Sequence, residues 1–307
     1  MKKYGQLSSK DIEKEKAVQT GLKIVPFSDN CLKGASYDIS PTIIAMSTKV
    51  GMLETVYCDK SDPDKYYIYV KAKDTVLAIS KEYIVLPSYM AGYVVSRVSK
   101  VSEGFGHVST SIDPNWNGAL LIGLSNPTNK SIKVFVGGND NREKNDSLAT
   151  ITLHYLNTSC EENNIEYRGM RLDLLNKIRY SDYSRKGIRN WFYKVFYIRR
   201  KKYTDFFFRY CDRKTISADN WNEVVRDFQG LPPYKECSKC KEYVENKKIK
   251  KCFSDYIIKE NFFWELMNEI ISHWESIKGL LLLIFLILVM FGILPNEYQD
   301  LIKRIFE

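Results

Sequence analysis

The segment Ser111 to Asn126, SIDPNWNGALLIGLSN, constrains this chain more than any other. Asp113-Pro114-Asn115-Trp116-Asn117-Gly118 has the makings of a tight turn. Pro presets φ, Asp and Asn bond their own backbone, and Gly adopts conformations that strain other residues. Ala119 to Leu124 follows as an apolar run of strand length, so the spacing predicts a hairpin entering a buried strand. Asp113 can accept a sugar hydroxyl, orient a water or cap its own backbone.

Other blocks fall around it in order. Lys23-Ile24-Val25-Pro26-Phe27-Ser28 leads to Gly34-Ala35-Ser36-Tyr37-Asp38-Ile39, then Tyr83-Ile84-Val85-Leu86-Pro87, Gly92 to Ser99, and Glu103 to Val108. Ser125 to Lys130 reads as a turn after the apolar run. Ala149 to Leu156 alternates β-branched and polar residues as a last strand would. Taken together, residues 23–156 resemble the dCTP deaminases and trimeric dUTPases.

That resemblance implies a mainly β domain, a distorted dUTPase-like barrel over residues 1–158. It also implies a homotrimer with nucleotide pockets between subunits. The nucleotide-binding residues it points to are Arg97, Ser99, Asp113, Trp116 and Gly118.

The reagents of deamination are missing. The deaminases begin a Glu-aliphatic-x-Asn pattern with their catalytic glutamate; here the matching residues are Gly123-Leu124-Ser125-Asn126. Their Arg-Ser-Ser-x-x-Arg segment reads Arg97-Val98-Ser99-Lys100-Val101-Ser102, so Val98 and Ser102 replace a serine and an arginine. A positioned acid or base typically contributes about 10²–10⁴-fold. Losing three such groups argues against a working deaminase, although Lys100 offers a replacement charge. The dUTPase branch instead uses the aspartate of the turn to orient water, which would make Asp113 catalytic with a Mg2+ ion on the substrate. It also closes its site with a Gly-rich arm that this chain does not show. A zinc nucleobase deaminase is excluded, because none of His107, His154 and His273 begins H-x-E.

The second half differs in composition. From Arg168 to Lys202 there are 12 Lys or Arg against Asp173 and Asp182, an excess that surpasses the net charge of +9 for the whole chain. Tyr180, Trp191, Phe192, Tyr197 and Phe206 to Phe208 interleave with the charges. This pattern suits contact with anionic lipid headgroups, a helical region with a solvated basic face, or, less well, nucleic acid. Residues 159–259 are therefore read as a basic, aromatic helical region.

Seven cysteines without a signal peptide predict reduced thiols in a cytoplasmic chain. Cys237-Ser238-Lys239-Cys240 offers two ligands for a Zn2+ ion, with Cys211 or Cys252 nearby. Residues 260–307 are read as an amphipathic helix from Phe263 to Ile277, an apolar helix over 279–294 and a short tail. The apolar run would span about 24 Å and, with Trp274 and Lys278 extending it, is expected to cross a membrane once.

The reading that unites these parts is a membrane-anchored protein that binds a deoxynucleotide as a sensor or scaffold. An active hydrolase, deaminating dCTP or cleaving dUTP, is the alternative.

Overall fold

The computed structural model describes residues 5–62, 65–137, 146–160, 169–180, 188–228 and 257–259. Three sheets organise the described strands. The first runs Ser109–Ile112, Met90–Ser96, Ala149–Tyr155, Ser36–Ile39, Leu32–Lys33, with Gly5–Gln6 also on Ala149–Tyr155. The second runs Asn117–Asn126, Asp74–Val85, Pro41–Ser47, Met52–Leu53, with Lys23–Val25 also on Asp74–Val85. The third runs Ile132–Val136, Tyr66–Val70, Val56–Cys58, Ile257–Lys259. Every pairing is antiparallel except the last, where Ile257–Lys259 lies parallel to Val56–Cys58. The β-rich domain expected for the N-terminal half is present.

Burial explains why these segments are strands. Pro41–Ser47 is buried at every position, as a strand covered on both faces must be. Ala149–Tyr155 alternates, with Ile151 and Leu153 inward and Thr150 and Thr152 half-exposed. Ile39, Ile43, Ile68, Val76, Ile122, Val134 and Ile151 meet in one contiguous core.

The helical region shares that core. Tyr203, Phe207, Phe208, Trp221 and Phe228 join the same cluster as the sheet residues. The helix Ile188–Cys211 docks on the edge strand Met52–Leu53 through side chains of its second half. Arg200 donates to the Leu53 carbonyl at 2.7 Å, to the Met52 carbonyl at 3.2 Å and to the Glu54 carboxylate at 2.8 Å. Thr204 Oγ1 accepts from the Leu53 amide at 3.0 Å. An edge strand leaves backbone groups unpaired, and here a helix supplies their partners. The helix Trp221–Phe228 follows, with Trp221 Nε1 donating to the Lys81 carbonyl at 2.7 Å.

This architecture corrects the expected membrane anchor and the membrane localisation. Among the described residues no helix is long and apolar enough to cross a membrane. Ile188–Cys211 has the length, at 24 residues, but carries Arg189, Lys194, Arg199, Arg200, Lys201, Lys202, Asp205 and Arg209. Each such charge at mid-bilayer costs about 2.5–3.5 kcal/mol. The charge that looked suited to lipid is used inward at Arg200, whose partner Glu54 is buried with it. The apolar run over 279–294 and the amphipathic stretch before it lie outside the described residues.

Candidate functional site

The Asp113 turn connects two sheets and does not close a hairpin. Ser109–Ile112 pairs with Met90–Ser96 in the first sheet, whereas Asn117–Asn126 pairs with Asp74–Val85 in the second. The turn is therefore an arch. Its backbone is fixed by the Trp116 amide donating to the Asp113 carbonyl at 3.2 Å, with Asn115 at φ 62°. Trp116 Nε1 donates onward to the Gly118 carbonyl at 2.8 Å, and the Trp116 carbonyl accepts from the Leu86 amide at 2.9 Å. The Asp113 side chain is exposed, and no described hydrogen bond or ion pair engages its carboxylate. The arch thus presents a carboxylate to solvent on a rigid backbone, the arrangement needed to receive a hydroxyl or hold a water.

Arg97 and Ser99 are placed elsewhere. Register pairs Ile112 with Gly92 and Ser109 with Val95, so Asp113 and Arg97 leave this strand pair at opposite ends. Six residues of extended chain separate the two levels, about 20 Å at about 3.4 Å per residue. Arg97 donates to the buried Asp38 carboxylate at 2.8 Å, and Thr150 donates to the other oxygen of Asp38 at 2.7 Å. Its guanidinium stays one-third exposed. Ser99 is exposed, and its carbonyl accepts from the Ser102 hydroxyl at 2.7 Å.

The positions altered relative to the deaminase pattern gather at the Arg97 end. Val98 to Ser102 forms a short helix, and the chain then returns so that the Gly106 amide donates to the Ser125 carbonyl at 2.8 Å. Ser125 lies two residues past Gly123 on the Asn117–Asn126 strand. A side chain at Gly123 would meet nothing closer than Leu77 Cδ2 at 3.7 Å, so the glycine is not dictated by crowding. Val98 is 84% exposed, a hydrophobic group where the deaminase pattern has a hydroxyl.

Lys100 does not supply a spare charge. It is buried, and its ammonium pairs with Glu103 at 2.8 Å and Asp146 at 3.0 Å. Asn126, the retained member of the pattern, is also structural. Its amide donates to the carbonyls of Val70, Lys71 and Lys130, while its oxygen accepts from the Thr128 amide and hydroxyl.

A contact not foreseen from sequence lies on the arch. The face of Gly118 from which a side chain would project is filled by the backbone of Gly169, whose Cα lies 2.1 Å from the position of an added Cβ. Gly169 has φ +78°, which favours glycine. The only hint in the sequence is a glycine inside a basic stretch.

Among the described residues, no group of three or more His, Cys, Asp or Glu side chains is placed to hold a metal ion. Cys237 and Cys240 lie outside them. Cys211 is buried in an apolar setting that pushes its thiol well above the usual range, opposite to what a metal-binding thiolate needs.

Residues 6–139 match the family described as dCTP deaminase-like. A dCTP deaminase from Thermococcus kodakarensis is 28% identical over 121 residues, 39% of this chain and 72% of that protein. Among solved structures, the 2'-deoxycytidine 5'-triphosphate deaminase from Agrobacterium tumefaciens is similar at 13% identity and a TM-score of 0.37. The similarity covers 50% of this chain and 49% of that one, so the chain spans about half the length of that enzyme. The dUTPase from phage phi11 of S. aureus is similar at 13% identity over 48% of this chain and 97% of that one, with a TM-score of 0.30.

Proposed function

We propose that this chain, whose residues 6–139 match the dCTP deaminase-like family, binds a deoxynucleotide without deaminating it. One observation carries the reading: Gly123 would accept a Cβ without a clash yet offers no proton acceptor. Deamination at a cytosine C4 needs a base to activate water, and a glycine has none. The other altered positions agree, since Val98 cannot hold a water by hydrogen bonding and Lys100 is already neutralised by two carboxylates.

The ligand would be held by Asp113, Trp116 and Gly118 of one copy and by Arg97 and Ser99 of another. The separation of the two groups along one strand pair supports this division, because one chain does not bring them together. A homotrimer with sites between copies would satisfy it. Asp113 would accept a sugar hydroxyl, and Arg97, oriented by Asp38, would face phosphate.

The alternative is hydrolysis of the triphosphate, with Asp113 orienting water and Mg2+ carried by the substrate. The exposed Asp113 carboxylate is the observation that favours this reading. Incubating the full chain with dCTP or dUTP and Mg2+ and separating products by chromatography tests both readings. Binding without product is expected. Product formation abolished by Asp113→Asn would establish the hydrolase instead.

A further inference from the structure

We propose that the segment Gly169–Tyr180 is a built-in plug on the nucleotide arch, so that ligand and plug compete for Gly118; this rests on the nucleotide reading given above. The segment lies beyond the residues that match the family and is held at both ends.

At one end, backbone meets backbone. The approach of Gly169 to Gly118 is so close that neither a side chain nor a ligand atom fits on that face while the plug is docked. Met170 is buried beside it, and the helix Leu172–Ile178 buries Leu175 and rests Leu172 and Ile178 on the core.

At the other end is a polar latch. Asp205, on the helix that docks on the edge strand, accepts from Arg179 at 2.5 Å, from Lys201 at 2.9 Å and from the Tyr180 hydroxyl. The Tyr180 amide also donates to the Gly51 carbonyl at 2.9 Å. Arg179, Tyr180 and Asp205 are each half-buried, so the latch can open without exposing a large apolar surface. A latch of charge-assisted bonds joined to a small apolar anchor has two accessible states, docked and released. A ligand that needs Gly118 free binds only the released one.

This arrangement makes a quantitative claim. If only a fraction of molecules is competent, apparent affinity is reduced by that fraction, and releasing the plug restores it. Asp205→Asn weakens the latch while keeping its shape. A second variant, Arg179→Gln with Tyr180→Phe, weakens it from the other side and leaves the docking helix untouched.

The test is calorimetric titration of dCTP into the full chain and both variants, with hydrogen exchange measured over residues 170–178. Both variants should bind dCTP more tightly, by about tenfold if the plug is docked in nine molecules of ten. Adding dCTP to the unaltered chain should speed exchange over 170–178. Equal affinities in all three proteins would overturn the plug while leaving nucleotide binding intact. Slower exchange over 170–178 with dCTP would overturn it too, by showing that the segment closes on the ligand. No binding by any of the three would overturn the plug and the nucleotide reading together.

Discussion

The arch at Asp113 and the dock at Arg200 treat charge in opposite ways. At the dock, Arg200 and Glu54 are both buried, each with less than a tenth of its side chain exposed, and Arg200 also reaches two backbone carbonyls. At the arch, Asp113 is exposed and the backbone around it makes the bonds. A buried pair is expensive to break because the survivor loses its counter-charge where little water can replace it. An exposed carboxylate on a fixed turn costs little to change and remains available to a ligand. The chain has put its charge where it stabilises at the dock, and where it can act at the arch.

Breaking the dock is expected to have the largest effect. Arg200→Met removes the charge paired with the buried Glu54 carboxylate and the donors to Leu53 and Met52, which should cost about 3–5 kcal/mol in urea unfolding. A loss below about 1 kcal/mol would mean that the dock is no more integral than a surface ion pair. Thr204→Val takes the acceptor from the buried Leu53 amide and should cost about 1–3 kcal/mol in the same measurement.

Two changes nearer the proposed site sharpen the contrast. Gly123→Glu places its Cβ at ordinary contact distance from Leu77, 3.7 Å, so stability should move by no more than about 1 kcal/mol. Chromatography should still show no conversion of dCTP to dUTP, because Val98 and Ser102 remain. Conversion would show that the missing carboxylate alone separated this chain from an enzyme.

The smallest effect concerns Asp59, a second turn aspartate that, unlike Asp113, is held. The Ser61 hydroxyl and amide and the Lys133 ammonium lower its pKa from 3.8 to about 2. The folded value lies below the unfolded one, so its contribution to stability is complete above pH 3.8 and is lost as pH falls through about 2. Asp59→Asn should therefore flatten the acid limb of a stability curve within that window.

Much of the β domain was legible because its signals are local. The turn at Asp113, the alternation of Ala149–Tyr155 and the glycine at 123 need no distant partner to be recognised. The arch was misread as a hairpin because a turn's composition does not say which sheet the next strand joins. That choice is made by Asp74–Val85, tens of residues upstream. Lys100 was misread for a similar reason: its partner Asp146 lies far along the chain, and only folding brings the two within 3.0 Å.

The basic, aromatic region shows where sequence stops. A run of Lys, Arg, Tyr and Phe has the same composition whether it meets lipid, nucleic acid or its own protein, since charge and ring content do not encode direction. The structure gives Arg200, Phe207 and Trp221 their direction, inward onto the sheet. By itself, the sequence indicated a β-rich N-terminal domain similar to the dCTP deaminases, with Gly123 where that resemblance implies a glutamate. Tertiary structure alone decided that Asp113 and Arg97 leave opposite ends of one strand pair and that Gly169 sits on Gly118. Local chemistry is written residue by residue, whereas burial and register follow only from which distant segments pack together.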